Sequence, residues 1–358
     1  MRALRFSLFA SALLLIVNAT SSTAYSQDKA PSFQPDGSVT SPALSIPYSV
    51  YASPEARAFF PKMLAAGSKA PPLSAPIAQN RAFYDRMNSD RATRMEKMYP
   101  VKIHSETIAG VGTDIVLPAQ GVSEANLHRV LINLHGGAFL WGAHSGGLVE
   151  SIPIASIGRI KVITVDYRQG PEHTFPAASD DVEAVYRALL KQYKPDEIGI
   201  YGCSAGGILT GEAVARLITD KLPTPAAIGT FCGSLLDIDG DAAYVAPVLN
   251  GQGVPEHRLT FADLPYFHGS NPHDPLVQPG VSPTLLAKFP PTLLITGTRD
   301  GTMSSVLASQ QLLDRAGVPT ELHVWEGMWH SFFSDPEMPE SQDAYRVIVR
   351  YFLNHLGR

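Results

Sequence analysis

Residues 198–206 read Ile198-Gly199-Ile200-Tyr201-Gly202-Cys203-Ser204-Ala205-Gly206, an apolar run followed by a serine with a glycine two positions away on either side. Small, helix-compatible residues follow, so the order predicts a strand, a sharp turn and a helix. Glycines at Gly202 and Gly206 let the strand and helix backbones pass close together, so the turn can hold Ser204 in a strained conformation with its Oγ exposed. We therefore interpret Ser204 as a candidate nucleophile.

The composition indicates a globular protein that does not bind nucleic acid. The chain has 358 residues, of which 45% are hydrophobic and 9% aromatic, enough for one large core or two modest ones. Its formal net charge of −5 comes from mixed signs, without a basic block that would neutralise a phosphate backbone. Small or neutral substrates fit this charge pattern better than nucleic acid.

The N-terminus, residues 1–24, is typical of a secretory signal peptide. Arg2 and Arg5 precede an apolar stretch from Phe6 to Val17, and small residues follow it. We expect cleavage after Ala24, or alternatively after Ser26. The apolar stretch is short for a membrane span, although a retained signal anchor is the alternative. No cysteine lies near the cut for lipid attachment, and no later segment has the length of a transmembrane helix. We expect a secreted or periplasmic protein without a stable membrane span.

Strand and helix patterns alternate after Pro100. The predicted strands are Val101–Ile108, Asp114–Leu117, Val130–Leu134, Val162–Val165, Ile198–Tyr201, Ile228–Cys232, Leu293–Thr296 and Glu321–Trp325. The predicted helices between and after them are Ser179–Tyr193, Ala205–Asp220, Ser304–Ala316 and Ser341–Leu356. Such alternation predicts an α/β fold with a mostly parallel sheet and helices on both faces.

Two segments depart from this alternation. Residues 25–99 contain short helical pieces broken by prolines and one amphipathic helix, Asn80–Met98, which either packs on the main domain or covers an active-site entrance. Within the main domain, residues 100–358, a Pro/Gly-rich insertion at about 239–285 has the length of a functional lid. The apolar face of the helix would consist of Phe83, Met87, Met95 and Met98.

A glycine loop follows the strand Val130–Leu134 and reads His135-Gly136-Gly137-Ala138-Phe139. Consecutive glycines let backbone N–H groups turn into a pocket without side chains in the way, which is what an oxyanion hole requires. The amides of Gly136, Gly137 and Ala138 are the candidate donors. The amide of Ala205, directly after the candidate nucleophile, would complete the hole.

An activated serine also needs a base and a group that orients the base. Asp300 lies just beyond the predicted strand Leu293–Thr296, where catalytic side chains of open α/β sheets collect; its alternative role is to cap the helix near Ser304. His330 lies in a Gly/aromatic loop after the last predicted strand, and imidazole titrates near neutral pH. Ser204, Asp300 and His330 are therefore the candidate catalytic residues.

These motifs together resemble the hormone-sensitive-lipase-like family of α/β-hydrolase esterases, also called family IV carboxylesterases. The resemblance runs from about Val130 to the C-terminus. The resemblance rests on the glycine loop, on the sharp turn at residues 202–206 (the serine elbow), and on Asp300 and His330. It rests further on Asp166-Tyr167-Arg168, Pro171-Glu172-His173, Phe175-Pro176-Ala177-Ala178 and Asp274-Pro275-Leu276. The resemblance implies an α/β-hydrolase fold with a small, mainly helical cap built from N-terminal helices and a late insertion, which fits the two segments above.

The chain departs from the family pattern at two positions. Ala138 stands where the family usually has a third glycine, and Cys203 where it usually has aspartate. The first adds a methyl group beside the pocket, and the second removes a carboxylate from the elbow. Neither departure removes a candidate catalytic group.

Several other residues have two interpretations. Export would permit a disulfide between Cys203 and Cys232, although free buried thiols are equally compatible with the sequence. Phe139, Trp141 and Trp329 are candidates for the substrate pocket or for ordinary core packing. The acidic turn Asp237–Asp241 lacks the downstream glutamate of a calcium loop, which favours a solvated turn over a metal site.

The function expected from these residues is a secreted serine carboxylesterase that acts on small-molecule esters, with short-chain or aryl carboxylic esters preferred. A Ser204–His330–Asp300 triad and an acyl-enzyme intermediate would carry the reaction, without a metal or an organic cofactor. One alternative is a peptidase or amidase that uses the same triad. The other is a non-catalytic small-ligand-binding protein on a hydrolase scaffold.

Overall fold

The computed structural model describes residues 32–36, 39–40 and 45–357, and the expected signal peptide lies outside them. The chain divides into two units, residues 1–47 and residues 48–358. In the first unit, β1 (Ser32–Phe33) pairs antiparallel with β2 (Val39–Thr40). The remaining described elements belong to the second unit.

Eight strands of the second unit form one central sheet. They are β3 (Val101–Ile108), β4 (Val111–Pro118), β5 (Val130–Leu134), β6 (Lys161–Val165), β7 (Ile198–Cys203), β8 (Ala227–Phe231), β9 (Thr292–Arg299) and β10 (Thr320–Trp329). Their order across the sheet is β10-β9-β8-β7-β5-β6-β4-β3. The pairs β3/β4 and β4/β6 are antiparallel and the other neighbouring pairs are parallel, which confirms the predicted sheet.

The central strands are apolar along their whole length because both faces of the sheet are covered. In β5, all five residues are buried. Val130, Ile132 and Leu134 point into the core on one face, and Leu131 points into the core on the other. Parallel strands covered by helices on both sides have this composition, since neither face meets water.

Nine helices of the described residues accompany the sheets. They are α1 (Pro54–Gly67), α2 (Ile77–Met98), α3 (Ser145–Gly158), α4 (Ala177–Leu189), α5 (Ala205–Thr219), α6 (Asp241–Leu249), α7 (Pro283–Leu286), α8 (Met303–Arg315) and α9 (Pro339–His355). The predicted helices correspond to α2, α4, α5, α8 and α9, with ends that differ by up to four residues. None of the described helices is both long and apolar enough to cross a bilayer.

Helix α3 has no counterpart in the sequence prediction. Nearly all of its residues are buried, so it lacks the polar face by which an amphipathic helix is recognised. It also contains Gly146, Gly147 and Pro153, which are poor helix formers. Gly147 lies so close to β6 that a Cβ would overlap the Thr164 hydroxyl, so a larger residue would push the helix away from the sheet.

The predicted insertion lies between β8 and β9. It contains α6 and α7 and three single turns of 3₁₀ helix, at Phe261–Asp263, Pro265–Phe267 and Pro279–Val281. Phe261, Leu264 and Phe267 are buried in the core of the main sheet, so the segment is anchored to the domain although it has little regular structure.

Candidate active site

Ser204 occupies the sharp turn between β7 and α5. Its φ of +57° and ψ of −122° are strained for a non-glycine residue. The flanking glycines permit this turn: a Cβ on Gly202 or on Gly206 would overlap the carbonyl oxygen of Leu134. The Ser204 amide donates to the carbonyl of Phe231 at 2.7 Å, so β8 also holds the turn.

His330 and Asp300 follow the ends of two adjacent parallel strands, β10 and β9. His330 Nε2 lies 2.8 Å from Ser204 Oγ, and His330 Nδ1 lies 2.8 Å from Asp300 Oδ1. The other oxygen of Asp300 accepts the hydroxyl of Thr296 at 3.0 Å. The structure thus brings the three candidate catalytic residues into one hydrogen-bonded chain.

The surroundings of Asp300 and His330 set their charges. Burial by itself raises the pKa of Asp300, but the facing imidazole and the Thr302 amide outweigh it and bring the pKa to about 2. Burial by itself lowers the pKa of His330, but the Asp300 carboxylate outweighs it and raises the pKa above the ordinary 6.5. Asp300 is therefore ionised at neutral pH, and His330 is a stronger base than a free imidazole.

The glycine loop places two free amides beside Ser204. Gly137 and Ala138 have left-handed backbones, with φ of +124° and +53°. Among the described residues, no acceptor pairs with the amides of Gly137, Ala138 or Ala205. The Gly136 amide instead donates to Glu150 Oε1 at 2.8 Å, in contrast to the sequence expectation, because the carboxylate lies behind the loop. Three of the four expected donors are therefore free to bind an oxyanion.

Glu150 of α3 was not found from the sequence. Its carboxylate accepts three N–H groups: Gly136 N on Oε1, and Cys203 N (3.1 Å) and Asn133 Nδ2 (3.0 Å) on Oε2. Burial raises the pKa of Glu150 to about 8, against the opposing effect of these donors. A glutamate inside an apolar, glycine-containing segment is the one sequence signal that marks this position.

The two cysteines are free, buried thiols in this structure. Cys203 Sγ lies 2.9 Å from Ser331 Oγ, and the Ser331 amide donates to Cys232 Sγ at 3.3 Å. Burial raises the pKa of both thiols. The Cys232 thiol also donates a hydrogen bond to the Asp300 carboxylate, and this bond helps to lower the pKa of Asp300.

A cavity of about 720 Å³ opens in front of Ser204 and His330. Part of its lining comes from the main domain, including Phe139 and Ile208, and the rest comes from the insertion. The insertion residues that line it are Ile238, Ala243, Ala246, Pro247, Asn250, Gln252, Gly253, Val254, Pro255, His257, Leu259 and Leu264. The walls are mainly apolar, with Ser204, Asp300 and His330 in one part of the lining and Asn250, Gln252 and His257 in the insertion, so the cavity suits a mainly apolar molecule.

Two of the three aromatic candidates lie outside this cavity. Trp141 stacks on Tyr84 of α2 with ring centroids 4.2 Å apart, and Trp329 packs on Phe59 and Phe60 of α1. Phe139 lines the cavity, as the sequence interpretation allowed. Trp141 and Trp329 therefore take the packing role, because α2 covers the first ring and α1 covers the second.

Helix α2 docks on the main domain, and among the described residues none of its side chains lines the cavity. Arg81 donates to the carbonyls of Leu140 and Gly170 and forms an ion pair with Glu172 at 2.7 Å. Met95 is fully buried, whereas Met98 is exposed. Of the two roles considered for this helix, packing on the main domain is the one that its contacts support.

The acidic turn at Asp237–Asp241 is held by local bonds. Asp237 accepts the amides of Ile238 and Phe261, and Asp239 pairs with Arg258 at 3.3 Å. These carboxylates are therefore directed into backbone and arginine contacts rather than towards a common point.

Comparisons with known proteins point to one family. A family model described as alpha/beta hydrolase fold matches residues 131–334. The chain is similar to an acetyl-hydrolase of Streptomyces hygroscopicus, at 30% identity over 64% of this chain and 77% of the relative. It is also similar to the esterase LipU of Mycobacterium tuberculosis, at 30% identity over 68% of this chain and 82% of the relative.

Solved structures give the same result. A crystal structure of an esterase matches with a TM-score of 0.76 and 30% identity, and the match covers 88% of this chain and 98% of that one. An esterase from the bacterial hormone-sensitive lipase family matches with a TM-score of 0.74 and 26% identity, over 85% and 99% of the two chains.

Proposed function

This chain belongs to the hormone-sensitive-lipase-like family of α/β hydrolases and is a carboxylic ester hydrolase, and on that premise we propose that Ser204, His330 and Asp300 are its catalytic triad. The observation that carries the proposal is the hydrogen-bonded chain from Asp300 through His330 to Ser204, with 2.8 Å at each link. The serine end of the chain meets the cavity, so an ester carbonyl can approach it.

In the first half of the reaction, Ser204 Oγ attacks the ester carbonyl carbon. His330 Nε2 takes the hydroxyl proton, and the buried Asp300 carboxylate stabilises the resulting imidazolium. The carbonyl oxygen becomes an oxyanion that the amides of Gly137, Ala138 and Ala205 can bind. His330 then returns the proton to the leaving alcohol as the ester C–O bond breaks, which leaves the acyl group on Ser204.

In the second half, water replaces the alcohol. His330 removes a proton from the water, the hydroxide attacks the acyl carbon, and the same amides bind the second oxyanion. The C–O bond to Ser204 breaks and the serine recovers its proton from His330. No step requires a metal or an organic cofactor.

The test compares the wild-type protein with Ser204→Ala on p-nitrophenyl acetate. We expect the variant to lose about 10³-fold or more in kcat/KM, because the nucleophile is absent. Ser156→Ala is the matched control, since that hydroxyl lies on α3 and bonds to Pro100. A fluorophosphonate probe should label the wild type and the control but not Ser204→Ala. Native activity in Ser204→Ala would overturn the proposal.

We propose short-chain or aryl carboxylic esters as the substrates. The cavity of about 720 Å³ with apolar walls supports this class, since it accommodates a compact acyl or aryl group. A series of p-nitrophenyl esters of increasing acyl length measures the preference. Maximal activity on long-chain triglycerides would contradict it.

We also propose that the protein is exported and processed. Arg2 and Arg5, the apolar stretch from Phe6 to Val17 and the small residues before Ala24 support a cleaved signal peptide. Expression of the full chain in a bacterial host, followed by fractionation and N-terminal sequencing, tests this. We expect mature protein that begins at Tyr25 or Gln27 outside the cytoplasm, and a cytoplasmic protein that retains Arg2 would contradict export.

A further inference from the structure

Glu150 connects the two segments that carry the free amides. Its Oε1 accepts the amide of Gly136 in the glycine loop at 2.8 Å, and its Oε2 accepts the amide of Cys203 in the elbow at 3.1 Å. Gly137 follows Gly136 directly, and Ala205 lies two residues after Cys203. The carboxyl group of Glu150 therefore ties together the loop and the elbow immediately beside the amides of Gly137 and Ala205, which have no acceptor in the described part of the chain.

We propose that Glu150 is a positioning residue, whose carboxyl group fixes the glycine loop to the serine elbow so that the amides of Gly137 and Ala205 point at the same oxyanion. This inference rests on the proposed mechanism of Ser204. Glu150 itself does not touch the substrate in it; it acts through the two segments that it holds.

The carboxylate is itself held in place from two sides. Asn133 Nδ2 donates to Oε2 at 3.0 Å, and the side-chain oxygen Oδ1 of Asn133 accepts the hydroxyl of Thr164 at 3.0 Å. The backbone carbonyl of Glu150 accepts the hydroxyl of Tyr201 at 3.0 Å. The side chain of Glu150 is thus bonded to β5 and its backbone carbonyl to β7. These bonds hold the carboxyl oxygens in fixed positions relative to the loop and the elbow.

The close approach of the loop to the elbow shows why such a tie is needed. A Cβ on Gly136 would lie 2.9 Å from the Cys203 carbonyl and 3.3 Å from Ser204 Cβ, so the two backbones are nearly in contact. Backbone contact alone sets a minimum distance but not an orientation. Two hydrogen bonds to one planar carboxyl group fix both the distance between the two segments and their relative orientation.

The departure at position 203 is consistent with this role. The family resemblance leads one to expect an aspartate there, and this chain has a cysteine whose Sγ bonds to Ser331. Glu150 brings a carboxylate to the same elbow from helix α3.

The consequence for catalysis follows from geometry. Oxyanion donors act because they are already oriented, and the loss of one typically costs about 10²–10³-fold in kcat. Misplacement of donors that are still present should cost less, about 10–100-fold. The ground-state ester makes weaker bonds to these amides than the oxyanion does, so KM should change little.

The experiment compares Glu150→Ala, Glu150→Gln and the control Glu212→Gln, all in the full chain. Glu212 is also a buried glutamate, but it lies on α5 and bonds to Ser179 of α4 rather than to the glycine loop or the elbow. Active sites are titrated with a fluorophosphonate, so that kcat is calculated from the concentration of folded, reactive enzyme alone. Each variant is then measured for kcat and KM on p-nitrophenyl acetate and for inhibition by an alkyl trifluoromethyl ketone, which forms a tetrahedral oxyanion with serine.

For Glu150→Ala we expect kcat per titrated site to fall about 10–100-fold, KM to stay within about twofold, and the ketone to bind more weakly by the same factor as kcat/KM. Glu150→Gln retains one acceptor oxygen and should recover part of the loss, whereas Glu212→Gln should keep the wild-type kcat. If Glu150→Ala does not fold, the kcat and ketone affinity of Glu150→Gln decide the question.

Wild-type kcat per site in the Glu150 variants, or a loss confined to KM, would overturn the positioning role while the Ser204 mechanism stands. Failure of the mechanism itself has a different signature, since wild-type protein would then resist the fluorophosphonate.

Discussion

His330 Nδ1 lies 2.8 Å from Asp300 Oδ1, and this contact turns the opposite ring nitrogen to within 2.8 Å of Ser204 Oγ. Both residues come directly after the ends of neighbouring parallel strands, β9 and β10. Parallel pairing therefore brings side chains that are thirty residues apart in sequence to one edge of the sheet. Since Asp300 is fully buried, its charge acts on His330 with little screening by water.

Asp300→Asn should change both the rate and its pH dependence. The neutral imidazole is the base, so kcat/KM falls as the pH falls through the pKa of His330, which the Asp300 carboxylate raises above 6.5. The amide removes that charge, so the midpoint should move to lower pH while the plateau falls by about 10³–10⁴-fold. The measurement is kcat/KM from about pH 5 to about pH 9. The exposed Asp314→Asn serves as control, and an unchanged midpoint in Asp300→Asn would contradict the assignment.

The candidate catalytic residues were predictable because each one follows a strand and carries its own local signal. Two glycines flank Ser204, Asp300 ends the run from Leu293, and His330 lies in a Gly/aromatic loop after the last strand. The fold and the family follow from the same ordered motifs, which the comparisons confirm. Such local patterns can be recognised in a sequence because strand ends and sharp turns restrict which residues fit there.

The remaining parts of the site depend on contacts that no local pattern reports. Glu150 lies in a buried helix without amphipathic periodicity, so neither α3 nor its role appeared in the sequence. The Gly136 amide was expected to be free and is not, because Glu150 accepts it. Trp141 and Trp329 were ambiguous because their packing partners, Tyr84 and Phe59, come from helices distant in sequence.

Val254→Trp should narrow the choice of acyl group. Val254 lies in the insertion, lines the cavity and is 73% exposed, so a larger side chain can be accepted there without disturbing the core. We expect the ratio of kcat/KM for p-nitrophenyl octanoate to that for the acetate to fall about tenfold, within the range for steric discrimination in apolar pockets. Val281→Trp is the matched control, since Val281 is an exposed valine of the same insertion outside the cavity lining. An equal change of the ratio in both variants would contradict a role at the cavity.

Glu212→Gln should stabilise the protein increasingly as the pH rises. Glu212 is fully buried, its Oε2 accepts only the Ser179 hydroxyl at 3.2 Å, and Oε1 has no partner among the described residues. Burial raises the pKa of Glu212 well above 4.5. As the pH rises above about 4.5, the unfolded chain releases this proton first, so the wild type loses stability until the pH reaches the folded-state pKa.

The glutamine side chain does not ionise, so the variant does not lose stability in this way as the pH rises. The difference in Tm between Glu212→Gln and the wild type should therefore be smallest near pH 4 and grow towards about pH 8. Thermal unfolding followed by circular dichroism at several pH values measures it. Glu256→Gln is the control, because the side chain of Glu256 is exposed and should give a difference that does not vary with pH. A constant difference for Glu212→Gln would show that the carboxyl ionises normally in the folded protein.

Cys203 and Glu150 are coupled through the elbow, and a double-mutant cycle can measure that coupling. The Glu150 carboxyl group accepts the Cys203 amide at 3.1 Å. Burial raises the pKa of the Cys203 thiol, and the nearby Glu150 and Asp300 raise it further. A new carboxylate at position 203 would therefore enter a site that already holds two acidic groups.

Cys203→Asp alone should lower the free energy of unfolding by about 2–4 kcal/mol, because it buries a carboxyl group beside Glu150 and Asp300 without a cationic partner. At about pH 9, above the Glu150 pKa of about 8, adding Glu150→Gln removes one of these charges, so the double variant should be more stable than the sum of the single effects predicts, by about 1–2 kcal/mol. Urea unfolding of the wild type, both single variants and the double variant gives this coupling free energy. Cys232→Asp combined with Glu150→Gln provides the comparison, since Cys232 bonds to Ser331 and Asp300 rather than to Glu150. If the two effects in the Cys203 cycle are strictly additive, Glu150 and the side chain at position 203 do not interact.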